Sequence, residues 1–287
     1  MIYFPNMSQV LQENIVILYH ANCWDGFGAA WVARRKFGDR ASYIPCLHVN
    51  VDIYPEGVID KEVYVIDFCF SEKITKELQE RNKKFVVIDH HKTVQSLVET
   101  LPEHVFSLTD SGAKLAWKYF HPETAVPKLI EYISDGDIWA HALPNWKEIE
   151  GYIHSQELSF ESFDTLHETL EHHFDEAIKI GKILNTQFDN LVKEHIDKAM
   201  LVEFEGYEVY ACNASSFLRS ELGHQLALKK GPFSIVYRFE EDILRISLRG
   251  DGSIDLTVLA EKYGGGGHKD ASAIIMKHKN PLPFRKL

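Results

Sequence analysis

Short apolar runs recur through the first half of the chain, and each ends on a residue of the metal-binding kind. Ile15-Val16-Ile17-Leu18-Tyr19 runs into His20, Val63-Tyr64-Val65-Ile66 into Asp67, and Phe85-Val86-Val87-Ile88 into Asp89-His90-His91. β-Branched runs without alternation suit strands buried on both faces, as in parallel sheets. Helix-like stretches lie between them, including Phe27 to Phe37 and, after Asp110-Ser111-Gly112-Ala113, Lys114 to Phe120. The small residues before the second of these would let a helix start pack close to the sheet. A further apolar stretch, Lys128 to Ile133, reads as a helix or a strand and ends in Ser134-Asp135-Gly136-Asp137. The fold class is therefore α/β, with a mainly parallel sheet flanked by helices in the N-terminal part.

The pattern changes near Phe160. From there to Met200, Phe163, Leu166, Leu170, Phe174, Ile178, Leu184, Phe188, Leu191 and Ile196 recur at helical spacing. They predict one long amphipathic helix or two shorter ones, broken near Gly181. Beyond, Tyr207 to Cys212, Phe233 to Phe239 and Ile243 to Leu248 read as strands, the last two joined through Glu240-Glu241-Asp242. Ser216 to Glu221 opens a helix, and Ile254 to Tyr263 forms another that leads into consecutive glycines. The expected organisation is residues 1–158 carrying the metal-type residues, a helical connector over 159–200, and a smaller α/β domain with a mixed sheet over 201–287.

Carboxylates converging on one place repel each other unless cations neutralise them. Open α/β sheets bind ligands at the C-terminal ends of their strands, where these acids and imidazoles fall. Mixed carboxylate and imidazole ligands suit Mn²⁺, Zn²⁺ or Fe²⁺ better than ions that prefer oxygen alone. Two ions about 3.5–4 Å apart clamp a phosphoryl group and stabilise both attacking and leaving oxygens. Metal-dependent hydrolysis of a phosphoester or phosphoanhydride is the chemistry this pattern suggests.

His20 with Asp25, Asp67, Asp89-His90-His91 and Asp135 resemble, in order, the four motifs of the DHH phosphoesterase superfamily. Tyr263 to Ala273, with Gly264-Gly265-Gly266-Gly267-His268, is similar to the signature of the DHH-associated C-terminal domain, and Ser247-Leu248-Arg249 to its phosphate-contacting segment. The resemblance implies His20 on a first metal, His90 and Asp135 on a second, and Asp67 bridging. It implies His91 facing the scissile phosphate, Asp89 orienting its neighbours, and Arg249, Gly265, Gly266, Gly267 and His268 gripping the substrate's far end. Mn²⁺ is the foremost ion, one or two per chain, with Mg²⁺, Zn²⁺ or Fe²⁺ as alternatives. The expected substrates are short oligonucleotides or dinucleotides, then nucleoside bisphosphates, held in a cleft between two domains. The alternatives are a non-catalytic nucleotide sensor with a degenerate metal site, or an exopolyphosphatase or pyrophosphatase.

The first motif departs from the family, which places two acids two residues apart after the His. Here the run is His20-Ala21-Asn22-Cys23-Trp24-Asp25-Gly26-Phe27, one residue longer and with a single acid. Either Asn22 or Cys23 takes the earlier acid's place, or Phe27 the later one's. Trp24 reads as a base-stacking ring or as core packing, and Arg219 as a substrate contact or a solvated cation.

Composition narrows the partners. A net charge of −11 over 287 residues argues against gripping long duplex nucleic acid and for a short phosphate substrate held locally. No apolar run reaches the roughly 18 residues that span a bilayer, and Met1-Ile2-Tyr3-Phe4-Pro5 lacks the features of a signal peptide. Cys23, Cys46, Cys69 and Cys212 show no paired spacing, which suits reduced thiols and a cytoplasmic location. A homodimer is compatible with the sequence but not indicated by it.

Overall fold

The structure is a computed structural model that describes residues 13–47, 51–277 and 282–287; the stretch read above for a signal peptide lies outside them. It divides into two compact units, Met1–Leu184 and Asn185–Leu287.

The first unit is built on strands β1 (Ile15–His20), β2 (Ala41–Cys46), β3 (Glu62–Ile66), β4 (Lys84–Asp89) and β5 (His104–Phe106). Their order is β2-β1-β3-β4-β5, and every pairing is parallel. The absence of alternation in the apolar runs is explained by burial on two faces. Ile17, Tyr19, Tyr64, Ile66, Val86 and Ile88 face one core, with α1 (Trp24–Phe37) and later helices. Val16, Leu18, Val63, Val65, Phe85 and Val87 face the other, with α2 (Glu72–Arg81) and α3 (Gln95–Val98). The chain leaves β1 for β2 on one side and returns to β3 on the other. The C-terminal ends of β1 and β3 therefore flank the point where the winding reverses, the usual ligand position in an open α/β sheet.

The ambiguous stretch after Lys128 is helical. It forms α5 (Lys128–Asp137), which follows α4 (Gly112–Phe120) and precedes α6 (Trp146–His154). The stretch read as a connector is two helices, α7 (Phe160–His172) and α8 (Phe174–Lys198), separated at His173 rather than Gly181, and the boundary of the two units falls within α8, after Leu184. Gly181 lies inside α8 for another reason. A Cβ there would lie 1.8 Å from the Glu148 carbonyl oxygen, so glycine lets the backbone of α6 pack against it. None of the described helices is long and apolar enough to cross a membrane.

The second unit holds a mixed sheet, as expected. Its strands are β6 (Met200–Phe204), β7 (Tyr207–Asn213), β8 (Phe233–Glu240), β9 (Ile243–Gly250), β10 (Gly266–His268), β11 (Ala271–Lys277) and β12 (Arg285–Lys286). The order is β10-β11-β9-β8-β7-β6-β12, with only β7 and β8 parallel. Helix α9 (Arg219–Lys229) begins three residues after the expected start, and α10 (Leu256–Glu261) leads into the glycines.

Candidate active site

The C-terminal ends of β1, β3 and β4 bring His20, Asp67 and Asp89-His90-His91 together. Asp67 is at the centre and is buried. Its backbone is left-handed at φ 64°, a conformation that costs a non-glycine residue energy and turns the chain sharply at the strand end. Asp67 Oδ2 lies 3.1 Å from His20 Nδ1. Asp67 Oδ1 lies 3.2 Å from His90 Nε2, an ion-pair contact that falls short of hydrogen-bond geometry, so this buried oxygen has no hydrogen-bond donor.

Asp25 reaches the same place from the first turn of α1. Its Oδ2 accepts from Gly112 N at 2.6 Å and its Oδ1 from Ala113 N at 2.9 Å. These are unpaired N–H groups at the start of α4, where the helix dipole also favours an anion. Only glycine fits at position 112, because a Cβ would lie 2.6 Å from Asp67 Cβ and 3.0 Å from Asp25 Oδ2. This is the close approach expected of the small residues before α4.

The two acids at the end of α5 are placed differently. Asp135 is 8% exposed, and its carboxylate accepts from the backbone N–H groups of Ala142 at 2.9 Å and Leu143 at 3.2 Å, tying down the loop after the helix. Asp137, half a turn further, lies 3.4 Å from His90 Nε2. Asp25 Oδ2 is 3.7 Å from the same nitrogen. Both acids of Ser134-Asp135-Gly136-Asp137 sit at the end of one helix, and only the loop's path decides which faces the histidine.

The first-motif alternatives separate cleanly. Asn22 is exposed and left-handed at φ 58°, so it absorbs the extra loop residue. Phe27 is core, against Phe160 and Phe163 at ring separations of 5.0 and 4.9 Å. Cys23 remains, and its sulfur lies with ligand atoms of His20 and Asp67 in a group within 4.8 Å of one another. A second group on the same scale comprises Asp25, His90 and Asp137. Trp24 packs into the core, stacked on Phe163 at 5.7 Å and His154 at 5.3 Å.

Charge balance in this cluster is unusual. Burial raises the Asp25 pKa well above the carboxylate range, and the charges of Asp67 and Asp137 raise it further. Burial would also raise Asp67, but the imidazoles of His20 and His90 outweigh it and hold Asp67 well below. Burial would lower His90, yet Asp67, Asp137 and Asp25 together push it up to about 10. The Cys23 thiol is raised by burial and then by the same carboxylates. Asp89 is fully buried; its Oδ1 accepts from His90 N at 2.7 Å and His91 N at 3.2 Å and faces His91 Nδ1 at 2.8 Å. Asp89 thus holds the triplet's turn and orients His91.

In the second unit, Arg249 on β9 and His268 on β10 both align with Ala271 of β11. They share one row and one face, two strand spacings or about 10 Å apart. The Arg249 guanidinium donates to Leu248 O at 2.9 Å and Ser220 Oγ at 3.2 Å. Burial, and then the charge of Arg219 nearby, lower its pKa to about 10. Two guanidiniums held in one neighbourhood suit an anion. The glycines have packing duties: a Cβ on Gly265 would lie 2.1 Å from Ala273 O, and Gly265 N donates to Ala260 O at 2.9 Å. That N–H is spent on the end of α10 and cannot join an anion nest. Gly266 and Gly267 lie in β10, paired with Ala273 and Ser272 of β11.

No family model matches the chain. A relative from Acanthamoeba polyphaga mimivirus, the uncharacterized protein R106, is 32% identical over 298 residues, covering 95% of this chain and 70% of its own length. The bifunctional oligoribonuclease and PAP phosphatase NrnA of Bacillus subtilis is 25% identical, over 77% of this chain and 73% of its own. The chain belongs to the DHH phosphoesterase superfamily. Asp89-His90-His91 is its DHH triplet, and the enzyme class is that of hydrolases of phosphoester bonds. The fold agrees: the solved DHH domain of PF0399, a member of the s1p family of ribosomal proteins, superposes with a TM-score of 0.53 at 15% identity, over 96% of this chain and 83% of that one.

Proposed function

We propose that this DHH protein is a divalent-metal-dependent phosphodiesterase that hydrolyses short oligonucleotides or dinucleotides, with nucleoside bisphosphates as the next substrate class. The observation that carries the reading is the pair of ligand groups around Asp67. His20, Cys23 and Asp67 form one, and Asp25, His90 and Asp137 the other, with Asp67 in contact with His90. The residues fit a metal on physical grounds, because Asp67 Oδ1 is a buried anionic oxygen without a hydrogen-bond donor. Asp67 would bridge, with Asp137 in the role the resemblance gave to Asp135. Mn²⁺ is the ion to test first.

A divalent ion there supplies Lewis-acid polarisation of a phosphoryl group and positive charge for the transition state. The chain's own residues do the rest. Asp89 fixes His91 through Nδ1 and, against burial, raises its pKa, which favours the imidazolium form whose Nε2 would donate to a phosphate or leaving oxygen. Arg249, with Arg219 beside it and His268 in the same row, would bind a second phosphate of the substrate. The relative NrnA, named for oligoribonuclease and PAP phosphatase activities, supports a small nucleotide substrate, and the net charge of −11 fits one better than a long polyanion.

The test is incubation of the purified protein with Mn²⁺ and linear and cyclic dinucleotides, five-residue RNA, 3′-phosphoadenosine 5′-phosphate and polyphosphate, with products followed by chromatography. Nucleotide products that chelator suppresses are expected. Inorganic phosphate from polyphosphate alone would replace this reading with an exopolyphosphatase. Nucleotide binding without turnover would replace it with a sensor.

A further inference from the structure

We infer that Cys23 is a metal ligand in its own right, and that with His20 and Asp67 it makes a sulfur–nitrogen–oxygen position favouring a thiophilic ion such as Zn²⁺ or Co²⁺ over Mn²⁺. The inference rests on the two-group reading of the metal centre. It makes the two positions chemically unlike, because the Asp25, His90 and Asp137 group carries no sulfur.

Three observations carry it. The ligand atoms of His20, Cys23 and Asp67 already lie within 4.8 Å of one another, and His20 Nδ1 is 3.1 Å from Asp67 Oδ2. Ligands about 2.0–2.3 Å from a tetrahedral Zn²⁺ lie about 3.3–3.8 Å apart, so the group is within about an ångström of closing. Asp67, within the group, is 1% exposed, and its Oδ1 has no hydrogen-bond donor, its ion-pair contact being His90 Nε2 at 3.2 Å. Cys23 is also placed unlike the chain's other cysteines. Cys46 and Cys69 belong to one apolar core and Cys212 to another, where each fills space. Cys23 is the N-cap residue of α1, extended at φ −130° and ψ 139°, and its side chain makes no capping bond. It thus stands at the start of a 14-residue helix, in the same group as the ligand atoms of His20 and Asp67.

A thiolate in place of a carboxylate shifts preference towards softer ions, since sulfur ligands select Zn²⁺ and its like while carboxylates suit Mn²⁺. The two carboxyl oxygens of the usual acid are exchanged for one large polarizable sulfur. Loss of a first-motif acid need not cost this position its metal.

The test loads the metal-free full-length protein with Co²⁺ alone and records its absorption. The wild type is expected to show an intense near-ultraviolet thiolate-to-cobalt band together with weak visible ligand-field bands. Cys23→Ser and Cys23→Asp should each lose the near-ultraviolet band and keep the visible ones. In competition titrations, the preference of the wild type for Zn²⁺ over Mn²⁺ should fall about tenfold or more in Cys23→Asp. Bound Co²⁺ in the wild type with ligand-field bands and no charge-transfer band would overturn the inference while leaving the metal centre standing. A band that survives in both variants would do the same. Folded wild-type protein that binds no Co²⁺ at all would overturn both readings.

Discussion

The two acids at the end of α5 allow a sharp experiment, since one is assigned to the loop and the other to the metal. Asp135 accepts two backbone N–H groups through a buried carboxylate. Hydrogen bonds to a charged group are each worth about 1.5–3 kcal/mol. The two share one side chain and are not additive, so Asp135→Ala should destabilise the metal-free fold by about 3 kcal/mol. Asp137 is different. Its side chain keeps 26% exposure and its contact is with His90, between two other carboxylates. Removing it relieves repulsion as well as an ion pair, so Asp137→Ala should alter metal-free stability by less than about 1 kcal/mol. Its effect on metal should be large, about 10–100-fold or more in Mn²⁺ affinity. Urea denaturation in chelator would measure the first quantity and calorimetric Mn²⁺ titration the second, with hydrolysis as a third readout. Asp135→Ala should bind Mn²⁺ within a few-fold of wild type under conditions where it is folded. If it loses Mn²⁺ while Asp137→Ala keeps it, the exchange of the two acids is wrong and the resemblance-based assignment stands.

Metal loading should release protons, because a raised His90 must give one up before Nε2 can ligate. Apparent Mn²⁺ affinity should therefore rise with pH by at least about tenfold per unit below pH 10, where metal-free His90 still carries its proton. Calorimetry in buffers of different ionisation enthalpy counts the protons, and a count of zero at pH 8 would refute the charge balance described here. Arg249→Gln should raise KM by about 10–100-fold, the worth of one charge-assisted phosphate contact, with little change in kcat or metal content. Unchanged KM on every hydrolysed substrate would remove Arg249 from binding.

Much of the architecture was legible because buried parallel strands announce themselves. Ile15 to Tyr19, Val63 to Ile66 and Phe85 to Ile88 have the same β-branched texture, and the residue that follows each is where the sheet opens. Positions set by loops were not legible. Asp135 and Asp137 both suit the same motif, and the choice depends on how residues 138–143 fold back onto Asp135, through backbone N–H groups that sequence does not advertise. Asn22, Cys23 and Phe27 stayed equivalent until a left-handed turn at Asn22 disposed of the extra residue. The role of Ala113 in holding Asp25 was missed as well. Its signal was present in the Ser-Gly-Ala start of a helix, but which acid it would meet depended on the distant packing of α1 on α4. Glycine was over-read in two places. Gly181 marked close packing on Glu148 and not a break, and Gly265 marks close packing on β11.

The cluster around Asp67 is expensive by construction, and this bears on what it is for. Two carboxylates about 4 Å apart repel by about 4 kcal/mol at an effective dielectric of about 20. A few such pairs rival the net stability of a whole domain, about 5–15 kcal/mol. The fold offsets this with the two N–H donors of α4 on Asp25, and with one imidazole set 3.2, 3.4 and 3.7 Å from three carboxylates. It also holds Asp67 in a left-handed backbone and permits no side chain at position 112. A structural ion-pair network would not require these costs, since simpler apolar packing would serve stability as well. What they secure is an arrangement in which an ion of higher charge than imidazolium can displace a proton from His90 and meet an oxygen already stripped of donors. On the proposed reading, the donor-free Asp67 Oδ1 and the raised His90 are two sides of one arrangement that suits a cation.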